Sequence, residues 1–266
     1  MLDRFNRRIN YLRISVTDRC NLRCTYCMPE KGVDLISHKE ILSFEEIIDV
    51  VRYGAVLGID KVRITGGEPL VRRGIVDLVK MLSEIPEITD LSMTTNGALL
   101  DQFSVLLVEA GLNRVNISLD TMDPVKFKEI TRVGKLSDTL EGIKAAKKAG
   151  LTPIKINCVI KESPMEKDAR EVAGYCLNNG LKIRFIKEMD LGKGIFSKVI
   201  GGEGGNCKSC NRLRLTADGK LRPCLFSDLS YDVRELGMKE AFNRAVGNKP
   251  RSGSANTLNK FSNIGG

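Results

Sequence analysis

Six of the eight cysteines fall into two sets of three. Cys20, Cys24 and Cys27 are spaced C-x3-C-x2-C; Cys207, Cys210 and Cys224 are spaced C-x2-C-x13-C; Cys158 and Cys176 stand apart. Three thiolates on one short loop can reach a single polynuclear centre, because close-set cysteines are the usual protein ligands of iron–sulfur clusters. With no fourth thiol, one iron would stay open to another ligand, the same logic that separates catalytic from structural metal sites. The first set has an alternative, zinc with the single histidine His38 as fourth ligand. Zinc at the second set would need Cys158, Cys176 or another distant donor. Unliganded buried cysteines suit the first loop poorly, since Arg19, Asn21, Arg23 and Thr25 make it polar.

A second group of residues points to an anionic ligand. Arg13, Arg63, Lys155 and Arg184 each sit between apolar neighbours in a short β-rich run, as in Leu12-Arg13-Ile14 and Val62-Arg63-Ile64. Strand alternation sends such a cation to one face and its neighbours to the other. Where the apolar face packs on helices, the four cations face inward, which is costly unless an anion neutralises them. Arginine adds bidentate geometry for phosphate oxygens. The second cysteine segment adds Lys208, Arg212, Arg214, Lys220 and Arg222 against Asp218 alone, readable as part of the same anion site or as a solvated hairpin.

These residues need a scaffold. Short apolar runs at 11–17, 61–65, 90–95, 114–119, 153–160 and 182–187 alternate with helical patterns, the βαβα rhythm of a parallel sheet. Ser43 precedes Glu46 at capping-box spacing, and Ile47, Ile48, Val51 and Ala55 recur on one helical face. Helices at 101–110 and 137–149 end at Gly111 and Gly150. Six βα units form a doubly wound sheet or an incomplete barrel, and in both, ligands gather at the carboxyl ends of the strands. Past Lys187 the rhythm stops. The six glycines of 192–205 predict a linker or flexible loop, 207 onward a short module of turns with one helix at 232–246, and 249–266 a polar tail either disordered or pinned.

Composition narrows the class. A 266-residue chain buries a sizeable core without disulfides, and eight cysteines fall far below the density of secreted disulfide scaffolds. No apolar run is long enough for a transmembrane helix, and no leader precedes Tyr11, so the expected location is cytoplasmic, without a membrane partner. The net charge of +9 (42 Lys+Arg against 33 Asp+Glu) admits an anionic partner. Nine Phe, five Tyr and no Trp supply few stacking platforms, and the basic surplus is interleaved with acids, which argues against nucleic acid.

The run Cys20-Asn-Leu-Arg-Cys24-Thr-Tyr-Cys27 resembles the signature of the radical S-adenosylmethionine (SAM) superfamily. That resemblance implies an α/β fold, a partial (β/α)6 TIM-like barrel. Cys20, Cys24 and Cys27 would hold a 4Fe-4S cluster, SAM would chelate its open iron, and electron transfer would release a 5′-deoxyadenosyl radical. Thr65-Gly-Gly-Glu-Pro69 resembles the superfamily's GGE element, which implies that Gly67 contacts the SAM amino group. Ser118 and Met189 fall where members contact SAM, and Tyr26 would back the adenine.

Both tricysteine sets, Asn211-Arg-Leu-Arg-Leu215, Phe185-Ile-Lys-Glu-Met-Asp190 and the terminal Ile-Gly-Gly together resemble the GTP 3′,8-cyclase family, which begins molybdenum cofactor synthesis. The resemblance covers most of 5–198 and 207–250. It implies GTP contacts at Arg13, Arg63, Thr94, Lys155, Arg184, Arg212 and Arg214, with Arg13, Arg212, Arg214, Gly265 and Gly266 in catalysis. It implies a second 4Fe-4S cluster, on Cys207, Cys210 and Cys224, that engages the guanine edge. It also implies an electron donor, a homodimer, and hand-over of the product to cyclic pyranopterin monophosphate synthase. The expected division is a barrel over 1–198, a shortened auxiliary-cluster module over 199–250 and a tail over 251–266.

The pattern departs from the family between Ile200 and Cys207, where several dozen residues are replaced by Gly-Gly-Glu-Gly-Gly-Asn. The segment around Leu236 is also shortened, and 251–260 does not follow the family. Two other readings share the motifs: a peptide-modifying radical SAM enzyme with an auxiliary cluster, and a catalytically silent iron–sulfur or nucleotide-binding protein.

Overall fold

The computed structural model of the protein describes residues 1–32, 34–258 and 261. Strands and helices alternate as β1 (Tyr11–Ser15), α1 (Phe44–Val56), β2 (Lys61–Thr65), α2 (Ile75–Ser83), β3 (Asp90–Thr95), α3 (Leu100–Glu109), β4 (Arg114–Ser118), α4 (Pro124–Thr131), α5 (Leu136–Ala149), β5 (Lys155–Ile160), α6 (Lys167–Asn179) and β6 (Lys182–Lys187). Three short strands, β7 (Arg212–Leu215), β8 (Lys220–Arg222) and β9 (Tyr231–Asp232), then lead into α7 (Val233–Gly247). Among the described residues these nine strands form one sheet in the order β6-β5-β4-β3-β2-β1-β7-β8-β9, an open arc rather than a closed barrel.

Local sequence accounts for the element ends. Ser43 accepts from the Glu46 amide, and the Glu46 carboxylate accepts from the Ser43 amide at 2.7 Å, the capping box expected for α1. Gly150 closes α5 at φ 92°, a left-handed position that favours glycine. Strand β1 stops at Ser15, two residues short of expectation, because the chain turns there to begin the cysteine loop, and Thr17 accepts from the Gly67 amide at 2.7 Å. Helix α7 is interrupted at Gly237 (φ 73°, ψ 157°).

The alternation sorts the sheet into two faces. Leu12, Ile14, Val62, Ile64 and Ile156 are 0 % exposed and pack with the helices, while their cationic neighbours take the opposite face. The core joins all the barrel helices to α7, whose Phe242 is also 0 % exposed and meets Tyr53 of α1 at a ring separation of 5.5 Å.

The segment after Lys187 is more ordered than its glycines suggest. Antiparallel bridges pair Phe185 with Ile200 and Asp190 with Ile195, and the Phe196 ring stacks on Phe226 at 4.4 Å. In place of a module of turns, Arg212-Leu-Arg-Leu215 pairs in parallel with β1, so this part of the chain continues the barrel sheet. Leu213 and Leu215 fill the core side at 0 % exposure, and β1 loses the open edge it would otherwise present. The tail is pinned as far as it is described. Ser254 donates to the Phe226 carbonyl and Asn256 to the Leu191 carbonyl, each at 2.8 Å. Among the described residues no helix is long and apolar enough to cross a membrane.

Candidate active site

A cavity of ≈ 660 Å³ runs along the inner face of the sheet, from strand-initial residues such as Tyr11 and Arg114 to the loops at the carboxyl ends. Both tricysteine sets line it, the first from the loop after β1 and the second from the segment flanking β7 and β8. All six thiols are partly exposed, and none is in a disulfide. Every other expected site residue that is described lines the same cavity: Arg13, Arg63, Thr94, Lys155, Arg184, Arg212 and Arg214 on the strands, and Tyr26, Gly67, Ser118 and Met189 at the carboxyl ends. Gly265 and Gly266 lie outside the described residues.

The cysteine loop is braced from several sides. The Cys27 and Met28 amides both donate to the Cys24 carbonyl at 3.0 Å. Arg132, held at φ 64°, donates to the carbonyls of Arg23 (2.7 Å) and Met28 (2.9 Å). Gly67 packs so closely that an added Cβ would lie 2.3 Å from the Arg19 carbonyl oxygen, so only glycine fits there. The Gly67 backbone is thereby packed against the backbone of the cysteine loop. Next to Gly67, Glu68 (1 % exposed) accepts from the Thr95 hydroxyl, the Asn96 amide and the Leu70 amide at 2.8, 2.7 and 3.1 Å. It thereby fixes Asn96, whose side-chain amide reaches the Cys20 sulfur at 3.9 Å. Tyr26 donates to Asp120 at 2.7 Å, which sets its ring at the cavity wall.

Burial pushes the Cys20 thiol up to about 11 and the Cys24 thiol to about 12, and raises Cys27 as well. Thiolates in such a place need positive charge beside them, which the irons of a cluster supply. Among the described residues no group of three or more His, Cys, Asp or Glu converges tightly enough to hold a lone metal ion. Among the described residues His38 does not line the cavity, and Cys158 and Cys176 are buried in the core, so none of these three joins either set. Three partly exposed thiols per set, spread around one cavity, fit the wider span of a polynuclear cluster.

The sheet supplies the cavity's charge. Register places Arg13 beside Arg63 on one side and Arg214 on the other, Lys155 opposite Asn116, and Arg184 opposite Asn157. Burial, reinforced by the neighbouring guanidiniums, draws Arg63 and Arg214 down to about 10 and Arg13 well below its ordinary value. Lys155 falls to about 8, through burial first and then the charges of Arg184, Arg114 and Arg63. Such crowding favours a multiply charged anion.

Several participants escaped the sequence reading. Tyr11 lies between the guanidiniums of Arg63 (5.4 Å) and Arg212 (5.7 Å). Arg114 also reaches the cavity and pairs with Asp90 at 2.7 Å. Oriented with its amide oxygen toward Arg63, Asn116 accepts from both terminal guanidinium nitrogens, at 2.6 and 3.2 Å. The signal was present: Tyr11 shares a strand face with Arg13, and Arg114 and Asn116 share one with Ser118. Lys249, buried beside the second cysteine set, carried no comparable signal.

Comparison with known proteins agrees with this geometry. Residues 14–175, more than half of the chain, match the radical SAM superfamily, and 203–252 match Molybdenum Cofactor Synthesis C. The chain is 42% identical to the GTP 3′,8-cyclase of Petrotoga mobilis, over 95% of this chain and 94% of the relative. It is 42% identical to that of Thermodesulfovibrio yellowstonii over the whole of both chains. The latter alignment spans 322 positions against the 266 residues here, so the relative carries residues that this chain lacks. Among solved structures, Streptococcus suis SuiB superimposes with a TM-score of 0.66 at 16% identity, covering 91% of this chain and 66% of that one. Native anSMEcpe with bound AdoMet gives 0.62 at 17% identity, covering 87% and 80%. At these identities the two structures speak to fold alone; together with the match over 14–175 they agree with the open βα arc being a partial barrel of the radical SAM type. Sequence similarity across nearly the full length goes further: the chain belongs to the radical SAM superfamily and, within it, to the GTP 3′,8-cyclase family.

Proposed function

We propose that this chain carries out the reaction for which its relatives are named, converting GTP to 3′,8-cyclo-7,8-dihydroguanosine 5′-triphosphate for molybdenum cofactor synthesis. The observation that carries the reading is the joining, in one cavity, of two three-thiol sets with a strand-borne cluster of cations. Cys20, Cys24 and Cys27 would hold the 4Fe-4S cluster that works with SAM, and Cys207, Cys210 and Cys224 a second one that meets the guanine edge. That first cluster would supply one electron to cleave SAM; the deoxyadenosyl radical would take the ribose 3′ hydrogen, C3′ would join guanine C8, and a second electron and a proton from the electron donor would complete the dihydro product.

The protein's own residues bind and orient. Arg13, Arg63, Lys155 and Arg184 neutralise the triphosphate, and their burial strengthens each contact because little water competes. Arg212 and Arg214 extend this surface toward the second cysteine set, and Thr94 on β3 lies between Arg63 on β2 and Lys155 on β5. Gly67, Ser118, Met189 and Tyr26 form the rim where SAM would sit, with Tyr26 held in place by Asp120. The Phe196–Phe226 stack belongs to the same small apolar cluster as Cys224 and lines that side of the cavity. The electron donor, the homodimer, the hand-over to the next enzyme, a cytoplasmic location and the division at residues 199 and 251 belong to the same reading.

Anaerobic incubation with GTP, SAM and a strong reductant tests it. The expected products are deoxyadenosine and a cyclised nucleotide in step. Deoxyadenosine without cyclised nucleotide would sink the GTP assignment. About eight iron and eight sulfide per chain are expected for two four-iron clusters, and zinc in their place would overturn the mechanism.

A further inference from the structure

Behind the second cysteine set runs a short strap, residues 249–252, that reaches all three cysteine positions. Lys249 is 1 % exposed. Its ammonium donates to the Arg212 carbonyl at 2.7 Å and to the Pro223 carbonyl, and it also contacts the Cys210 thiol. Arg212 follows Cys210 by two residues and Pro223 immediately precedes Cys224, so one amine ties the two arms of the cysteine hairpin together. Ser252 donates to the Cys207 sulfur at 3.6 Å. Arg7 holds the strap from the other side, donating to the carbonyls of Cys207 (2.7 Å), Pro250 (2.7 Å) and Arg251 (3.2 Å). A buried ion pair with Asp3 at 2.6 Å orients Arg7.

This arrangement is costly unless an anion completes it. A buried ammonium facing two neutral carbonyls and a thiol is short of negative charge, and no carboxylate among the described residues pairs with Lys249. A cluster held by three thiolates supplies that charge, and more of it after reduction. Hydrogen bonds to cluster sulfurs and buried charge beside them are the means by which proteins set iron–sulfur potentials.

We propose that the Lys249–Ser252 strap is the outer shell of the second cluster, with Lys249 a positioning residue whose charge raises that cluster's reduction potential and whose hydrogen bonds hold its ligands. The inference rests on the reading above that Cys207, Cys210 and Cys224 bind iron and sulfide, and it does not depend on which nucleotide is cyclised.

The test uses the full chain carrying Cys20→Ala, Cys24→Ala and Cys27→Ala, reconstituted anaerobically so that only the second cluster remains. Iron and sulfide are counted, and the midpoint potential is read by an EPR-monitored redox titration. Lys249→Met is expected to move the reduction equilibrium at least tenfold toward the oxidised form, about 59 mV for one electron. Loss of iron from Lys249→Met that is restored in Lys249→Arg supports the inference equally. Ser252→Ala, at an exposed position, is expected to shift the potential the same way by less. Should Lys249→Met fail to fold, Ser252→Ala decides, and an unchanged potential there overturns the inference. Full iron content with unchanged potential in Lys249→Met also overturns it. A parent chain that binds no second cluster would overturn this inference and the cluster assignment together, whereas an unmoved potential in an iron-loaded variant overturns this inference alone.

Discussion

Arg63→Met should leave the ligand-free protein about as stable as the parent while crippling its grip on GTP. Arg63 is 8 % exposed, and burial, aided by Arg114, Arg184 and Arg212, draws its guanidinium from 12.5 down to about 10. At 1.36 kcal/mol per pH unit, that fall corresponds to about 3 kcal/mol of charge penalty in the folded, ligand-free state. The folded value lies below the unfolded one. At pH 7 the group is protonated in both states, so the penalty is fully present and is relieved only as pH climbs above about 10. Methionine removes the charge but forfeits the Ser92 hydrogen bond (3.3 Å), the two Asn116 contacts and the stacking over Tyr11, together worth about 3–4 kcal/mol. Loss and relief nearly cancel, so the ligand-free Tm is expected to stay within roughly 2–4 °C of the parent. With the triphosphate present they no longer cancel, because a buried charge partner of phosphate is lost. That costs about 3 kcal/mol, roughly a hundredfold in Kd. Thermal melts with and without GTP, and calorimetric titration of GTP, read both effects. A variant that melts several degrees lower without nucleotide and binds GTP within threefold of the parent would refute the picture of a cation cluster waiting for an anion.

Other perturbations test separate parts of the site. Lys155, at about 8 without ligand, is charged below that pH and neutral above it. GTP affinity should therefore weaken as pH rises from 7 to 9, with proton uptake on binding near pH 8, and Lys155→Arg should flatten the profile in calorimetry. Glu68→Ala orphans the Thr95 hydroxyl and the Asn96 and Leu70 amides. A loss of about 3 kcal/mol is expected in chemical denaturation, together with reduced iron at the first cysteine set. Gly67→Ala forces a Cβ within 2.3 Å of the Arg19 oxygen, so the cysteine loop must shift, and iron retained after reconstitution should fall by half or more while the second set stays loaded.

Much of the barrel was legible because its signals are local. Lys61–Thr65, Asp90–Thr95 and Lys182–Lys187 begin and end where alternation predicts, and the Ser43–Glu46 capping box forms as written. The strands β7 and β8 were missed for the same reason. At four and three residues they are too short to show a period, and what makes Arg212-Leu-Arg-Leu215 a strand is the free edge of β1, two hundred positions away. The glycines of 192–205 suggested a loose linker because composition does not report that Phe196 finds Phe226.

The sequence by itself determined the chemistry on offer: two three-thiol sets without a fourth ligand, and cations set among apolar residues so that strand alternation must turn them to one face. These follow from covalent spacing and from the period-2 geometry of a strand, neither of which needs a partner. Only the tertiary structure decided that both sets meet those cations in one cavity, that Gly67 is needed by the cysteine loop's own backbone, and that Lys249 sits behind the second set. Each of these depends on contacts between residues far apart in the chain, which form only when burial of Leu12, Ile64, Leu213 and their neighbours closes the sheet's outer face against the helices.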